Sequence, residues 1–281
     1  MSKKAFLGMG LLGSAFTKAM NKRGENVRIW NRTSGKAEQL KAPGIEVFSS
    51  PAEAVKGASR IHLTLKDDAS VNEVLAAAEA GLEKNAIIID HTTTTKEGAV
   101  ERTRYWNGKG FTYQHVPVFM GPANALEASG VMLISGDQEV AKMLEPELSV
   151  MTGRLVNLGA ETGKAAAIKL AGNSFLVCFT FALRETLTVS KSLGLDANDL
   201  QHLFSFWNPG AQVEARLRRM TEADLSKPSW ELAMARKDTG LFLDAIQKAG
   251  LSTDLLPVIA SVMDQWIEKG FGNHDWAIVA K

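Results

Sequence analysis

The apolar positions of this chain follow two different periods. Over the first half, short apolar runs recur at residues 5–7, 27–30, 44–47, 60–65, 86–90, 111–118 and 131–135. Runs of this length, bounded by turn-forming residues, predict strands. Ile87-Ile88-Ile89 has no polar alternation, as expected of a parallel strand covered on both faces. Helix signals lie between the runs. Ser50-Pro51-Ala52-Glu53 combines a capping hydroxyl, a proline at the first helical position and a glutamate three residues on, which starts a helix to about residue 55. Residues 68–80 carry Val71, Val74 and Leu75 on one side, and the threonines at 92–95 offer a cap for a helix over 96–107. A glycine- and alanine-rich bend is expected between 118 and 131. The alternation predicts an α/β fold with a Rossmann-type doubly wound, mostly parallel sheet, here over residues 1–160.

Past Gly159 the pattern changes to helical spacing. Residues 162–193 contain no proline and many alanines and leucines, predicting one helix of roughly 45 Å at the usual rise. Gly172 inside it marks a close approach or a slight break, and Gly194 is a natural C-cap. Further helices are expected at 197–204, 210–219, 230–249 and 255–269, with no strand. Residues 161–281 therefore read as an all-helical second domain, joined to the first through the long helix.

The strand at 5–7 runs directly into Gly8-Met9-Gly10-Leu11-Leu12-Gly13, and a helix follows. In that context Gly8 permits the tight turn, Gly10 lets the backbone approach a pyrophosphate, and Gly13 lets the helix pack on the sheet. The free N–H groups of the first helical turn favour the pyrophosphate charge. The next strand ends in Asn31-Arg32-Thr33, where an NAD-selective fold places an acid for the ribose 2′-hydroxyl. Asn31 is neutral and able to donate, Arg32 supplies a cation with planar donors for a 2′-phosphate, Thr33 adds a hydroxyl, and Lys36 adds charge. The expected cofactor is NADP, as NADPH. The alternative is that Arg32 only stacks on adenine while NAD binds.

Bulk composition narrows the class. The 281 residues are 45% hydrophobic and 22% charged, with a formal charge of +1, which gives no electrostatic case for nucleic acid. The apolar run 175–183 is far shorter than a membrane span. No charged-then-apolar stretch precedes the first strand, and the cytoplasm is the expected compartment. The single cysteine, Cys178, lies in an apolar helical run and reads as a small buried hydrophobe. Five histidines show no ligand-like spacing with carboxylates, so no metal site is expected. His91 and His115 fall at strand ends, where doubly wound folds place ligands; each is either near the site or a satisfied core imidazole. Phe204, Phe206, Trp207 and Trp230 are candidates for an apolar pocket wall, with ordinary core packing as the alternative.

Lys169 and Asn173 are the polar pair inside the long apolar helix. At i and i+4 they share one face. An ammonium over a carbonyl oxygen can donate a proton as hydride reaches the carbon, and the neutral amine can take it back in reverse. The amide of Asn173 can hold the same substrate. The bland alternative is a lysine that reaches solvent and an asparagine that caps a kink.

Three segments together carry a family resemblance over essentially the whole chain. They are the opening glycine motif, the stretch from Gly159 to Asn173 (GAETGKAAAIKLAGN), and Lys237-Asp238. On these the chain resembles the β-hydroxyacid dehydrogenase family, whose members include 3-hydroxyisobutyrate dehydrogenase and tartronate semialdehyde reductase. The resemblance implies that Lys169 is the general acid/base and Asn173 the substrate orienter. It also implies that Lys237 closes over the nicotinamide side and that Asp238 supports the site. Leu65 and Thr93 complete the cofactor set that it implies, and Asn-Arg-Thr is the pattern of NADP-using members. Asp275 matches an acid of the family's C-terminal pattern, although Trp276 replaces the serine that usually follows. Members generally form dimers, so a homodimer is expected.

One departure bears on the substrate. Where members show Asp-Ala-Pro-Val-Ser-Gly-Gly, this chain has His115-Val116-Pro117-Val118-Phe119-Met120-Gly121. A phenyl ring and a thioether cannot donate to a carboxylate as serine does. Either the main-chain N–H groups of Met120 and Gly121 take the anion, or the pocket prefers a less polar aldehyde or ketone. The expected activity is NADPH-dependent reduction of a small aldehyde, semialdehyde or ketone. An imine reductase-like enzyme and a non-catalytic NADP(H)-sensing protein are the alternatives.

Overall fold

A computed structural model describes residues 3–281. Two compact units divide the chain, one ending at Ser174 and the other running Phe175–Lys281.

The first unit is built on alternating strands and helices: β1 (Lys4–Leu7), α1 (Leu11–Lys22), β2 (Val27–Trp30), α2 (Ser34–Glu38), β3 (Ile45–Val47), α3 (Pro51–Val55), β4 (Arg60–Leu63), α4 (Asp68–Ala78), β5 (Ile87–Asp90), α5 (Lys96–Gly108) and β6 (Thr112–His115). The six strands form one sheet in the order β3-β2-β1-β4-β5-β6, parallel throughout. Because successive side chains point to opposite faces, Phe6, Ile29, Ile87 and Ile89 enter one apolar cluster while Ala5, Leu7, Ile61, Leu63 and Ile88 enter the other. That two-sided burial is why β5 reads as an unbroken apolar run. Ser50 caps α3 as expected, with Glu53 N–H donating to Ser50 Oγ and Ser50 N–H donating to Glu53 Oε2.

The expected strand over 111–118 breaks in two. β6 stops at His115, and a short β7 (Val118–Phe119) resumes after Pro117, which has no N–H to continue a ladder. Pro117 keeps its carbonyl in use, accepting from Leu133 N at 2.9 Å. β7 belongs to a second, three-stranded sheet with β8 (Val131–Ile134) and β9 (Arg154–Asn157), antiparallel to β8, which is itself parallel to β9. The expected bend contains a helix, α6 (Pro122–Glu127), and α7 (Gln138–Ser149) precedes β9. Sequence reading placed no element on α7 or β9. α7 holds Pro146 in its interior and β9 is the half-exposed strand Arg-Leu-Val-Asn, so each weakens the pattern that would reveal it.

Helix α8 runs Lys164–Ser192, and the division between units falls within it. It is 29 residues long with a window of mean hydropathy 1.6, enough by length and composition alone to cross a membrane. The apolar run in the sequence looked shorter because alanine, glycine and threonine extend it on either side. Phe175, Leu176, Val177, Phe179 and Phe181 are all exposed on this chain. Cys178 is exposed with them, which corrects the expectation of a buried thiol: an apolar run records composition and not what packs against each helix face.

The second unit continues with α9 (Ala197–Phe206), α10 (Val213–Glu222), α11 (Leu232–Lys248) and α12 (Leu256–Trp266), and contains no ladder of strands. The chain is thus a parallel Rossmann-type sheet followed by a mostly helical region. Leu225, Leu232, Ala235, Met263, Ala277 and Ile278 form the core of the second unit. Asp275 is fully buried beside it. Its Oδ2 accepts from Arg219 Nε at 2.7 Å and from the N–H and Oγ of Ser229, both at 2.8 Å, and its Oδ1 accepts from Ala277 N at 3.0 Å. Burial alone pushes this carboxyl up, but the Arg219 guanidinium and the hydrogen bonds outweigh it and hold it far below the usual carboxylate range. Asp275 is a keystone of this unit's packing.

Candidate active site

The glycine turn occupies the C-terminal end of β1, where a doubly wound sheet places its ligands. Gly8 has φ +98°, and a side chain there would meet the Thr64 carbonyl. A Cβ on Gly13 would strike the Gly8 carbonyl and lie 2.6 Å from Thr64 Oγ1. Gly10 has open space where its Cβ would stand. The three glycines therefore have different jobs: Gly8 and Gly13 permit contact within the fold, and Gly10 leaves a surface clear. No side chain caps the N-terminus of α1, so its first-turn N–H groups are free for an anion. The Met9 side chain is buried and Leu12 packs against the core, whereas Leu11 is 83% exposed. The main-chain N–H of Leu12 belongs to that free first turn, whereas the N–H of Met9 is engaged by Asn31 Oδ1. These features form the cradle that a dinucleotide pyrophosphate fits.

Beside the turn lies a cavity of about 310 Å³ lined by Gly8, Gly10, Asn31, Arg32, Thr33, Lys36 and Leu65. Lys66, Ser70 and Glu73 line it too. Sequence reasoning missed these three, since they stand at the start of α4 and its preceding loop without any motif. Asn31 has a larger structural part than its sequence position implied. Its Oδ1 accepts from Met9 N and its Nδ2 donates to Thr33 O, both at 2.8 Å. It thus fastens the glycine turn to the end of β2 and keeps one amide hydrogen for a ligand. A separate cavity of about 690 Å³ between α4 and α5 holds none of the residues expected at the site.

Leu65 and Thr93 follow the C-terminal ends of the paired strands β4 and β5. Leu65 N donates to Thr92 Oγ1 at 2.9 Å and Thr92 N to Asp90 Oδ1 at 2.9 Å, leaving Thr93 exposed between buried Thr92 and Thr94. The two strand-end histidines support this edge from within. His115 Nε2 lies 2.9 Å from the Thr92 carbonyl and 3.3 Å from Thr94 Oγ1. His91 Nδ1 lies 2.8 Å from the Val116 carbonyl, and its Nε2 is 3.0 Å from His62 Nδ1. Both are core imidazoles, and burial lowers the pKa of each, that of His91 to about 3.

Lys169, Asn173 and Phe119 form a second cluster in the same unit. Lys169 is only 8% exposed, and its Nζ donates to Asn173 Oδ1 at 2.9 Å. The ammonium also lies 4.3 Å from the centroid of the Phe119 ring. Burial lowers the pKa of Lys169, and no ionised neighbour adds to that shift. Met120 packs against the core. Gly121 N–H donates to Asn124 Oδ1 at 3.0 Å at the start of α6. The helix cap thus engages the Gly121 N–H that the sequence offered to a substrate carboxylate.

The remaining expected residues lie in the second unit. Lys237 Nζ is 2.9 Å from Asp238 Oδ1 on α11, with the lysine half-exposed. Phe206, Trp207 and Trp230 are exposed; Phe204 stacks on Trp207 with centroids 6.0 Å apart, and Trp230 meets Trp276 edge-on at 5.3 Å. Among the described residues, no group of three or more His, Cys, Asp or Glu is arranged to hold a metal ion.

Comparison with known proteins agrees with this geometry. The chain is 28% identical to an oxidoreductase of Bacillus subtilis (strain 168), over 99% of each protein. It is 25% identical to 3-sulfolactaldehyde reductase of Escherichia coli (strain K12), over 99% of this chain and 95% of that one. Among solved structures, the imine reductase from Myxococcus stipitatus in complex with NADP+ superposes with a TM-score of 0.88 at 21% identity, covering 99% of this chain and 98% of the other. Residues 3–159, more than half of the chain, match the NAD binding domain of 6-phosphogluconate dehydrogenase. With the glycine cradle and the parallel sheet in place, the chain belongs to that family of NAD(P)-binding oxidoreductases.

Proposed function

We propose that this protein is an NADPH-dependent reductase of small aldehydes, semialdehydes or ketones, with Lys169 as the general acid/base. The observation that carries this reading is the Lys169–Asn173 pair: a buried ammonium, fixed at 2.9 Å by an amide one helical turn away, in the unit that carries the glycine cradle. When bound, the nicotinamide supplies the hydride. Lys169 Nζ gives a proton to the carbonyl oxygen as its charge develops, and in reverse the neutral amine takes the hydroxyl proton. Asn173 orients the substrate through its amide and Lys169 through the shared hydrogen bond.

NADPH is favoured over NADH by Asn31-Arg32-Thr33. No carboxylate stands at the end of β2 to repel a 2′-phosphate, and Arg32, Thr33 and Lys36 line the same cavity. Glu73 also lines it, but against the three cations Arg32, Lys36 and Lys66. The assignment of Lys237 and Asp238 to the nicotinamide and substrate follows from the family resemblance alone. So does the division of labour between residues 1–160, for the dinucleotide, and 161–281, for substrate and dimerisation. A second copy of the chain is the proposed cover for the exposed apolar face of α8, as expected for a homodimer.

Phe119, Met120 and the engaged N–H of Gly121 favour an uncharged substrate over a carboxylate-bearing one. The same lining supports imines as a second substrate class. The test is NADPH consumption against a panel of aldehydes, ketones, semialdehydes and a cyclic imine, with Lys169→Ala alongside. Loss of the lysine is expected to lower kcat by about a hundredfold or more, as for other positioned acids. Unchanged turnover would overturn the assignment.

A further inference from the structure

The ring of Phe119 stands where the family resemblance implies a serine, and its position depends on a second residue. On α8, Gly172 lies one turn from Lys169, and a Cβ there would run into Cζ of Phe119 and come within 2.7 Å of Cε1. A glycine inside a helix costs about 1 kcal/mol relative to alanine; here its missing side chain is the space the ring occupies. With the ring seated against Gly172, its face meets the Lys169 ammonium at 4.3 Å from the centroid, inside the range of a cation–π contact. Asn173 Oδ1 takes one N–H of the ammonium.

We propose that Phe119 is a positioning residue for Lys169: its ring face, admitted by Gly172, holds the side chain as an ammonium aimed alongside Asn173. A ring quadrupole attracts the cation and has no comparable attraction for the neutral amine. Burial works in the opposite direction, and among the described residues of the unit no carboxylate or second cation pairs with Lys169. The ring face and the amide oxygen of Asn173, which accepts a hydrogen bond from Nζ, are the two contacts that favour the charged form. The resting side chain is then the proton donor, the form needed at the start of carbonyl reduction. That consequence rests on Lys169 being the acid of the reaction; the hold of the ring on the ammonium does not.

The test is the ionisation of Lys169 itself, measured on the full-length protein without turnover. Lysine side chains labelled with 13C are titrated by NMR, and Lys169→Arg identifies the signal. Phe119→Leu keeps an apolar side chain without a π face and is expected to lower the Lys169 pKa by about one unit. Phe119→Tyr keeps the face and should leave the pKa unchanged. Gly172→Ala, which displaces the ring while retaining Phe119, should reproduce the Phe119→Leu shift and serves if that variant folds poorly. A pKa in Phe119→Leu equal to the wild-type value, or a fall in Phe119→Tyr as large as in Phe119→Leu, overturns the proposal. The alkaline limb of kcat/KM for reduction is read separately. If that limb fails to follow the NMR value, Lys169 is not the proton donor, whereas the role of the ring is decided by the titration alone.

Discussion

Acidification is predicted to loosen the ligand-bearing edge of the first unit through His91. The imidazole is buried, stacks on Phe6 with centroids 6.4 Å apart, meets Phe16 at a tilt at 5.4 Å, and bridges the Val116 carbonyl and His62. Burial and then the neighbouring His62 lower its pKa from 6.5 to about 3. Below pH 6.5 the unfolded chain binds a proton at this position that the folded chain refuses. The stability it contributes is therefore complete above pH 6.5 and is lost progressively as pH falls toward 3. Between pH 7.5 and 5.5 one such group changes the unfolding free energy by about 1.4 kcal/mol. His62 and His115 are lowered by burial as well and add in the same direction. The assay is urea unfolding at the two pH values, followed by hydrogen exchange of peptides from β4 and β5 so that only this unit is read. His91→Phe keeps the stacking and removes the titration. It is expected to be less stable at both pH values, yet to lose about 1.4 kcal/mol less than wild type between them. An identical pH dependence in the two proteins would refute the argument.

Four further outcomes follow from the geometry. Gly13→Ala places a Cβ 2.6 Å from Thr64 Oγ1 and against the Gly8 carbonyl, so NADPH affinity measured by calorimetry should fall by at least about tenfold; unchanged affinity would mean the turn is not the cofactor cradle. Arg32→Ala should weaken NADPH by about ten- to a hundredfold, the worth of a charge-assisted hydrogen bond, and NADH far less. Equal losses for the two cofactors would remove the phosphate-reading role. In the second unit, Asp275→Asn breaks a buried carboxylate's bond to Arg219, which is itself a third exposed. It should cost about 3 kcal/mol, at the lower end for broken buried pairs, seen as earlier exchange of peptides around Leu225 and Leu232; a loss below about 1 kcal/mol would mark the pair as surface-like. Finally, sedimentation should report a dimer, and a charge at exposed Phe179 should convert it to monomer; a monomeric wild type would leave the α8 face without the proposed partner.

Local chemistry made much of this molecule legible in its sequence. The parallel sheet followed from apolar runs alternating with capped helices, and the cradle followed from glycine spacing, because a turn that admits no Cβ leaves glycine as its only solution. Lys169 and Asn173 were visible as an i, i+4 polar pair on an apolar helix, and the structure adds the hydrogen bond between them. Elements whose patterns contradict their state were hidden: α7 with its interior proline and the half-exposed β9. Cys178 was misread because exposure depends on what packs against a helix face, and no periodicity encodes that. Only tertiary structure decided how polar groups are used. It joined Asn31 to Met9, took the Gly121 N–H for Asn124, turned His91 and His115 into core supports, and set Phe119 against Gly172 and over Lys169. Each of these contacts joins residues whose partners no local pattern names. A chain's covalent order dictates the periods and turns of its elements, whereas the partner of a given donor, acceptor or ring is chosen when those elements pack.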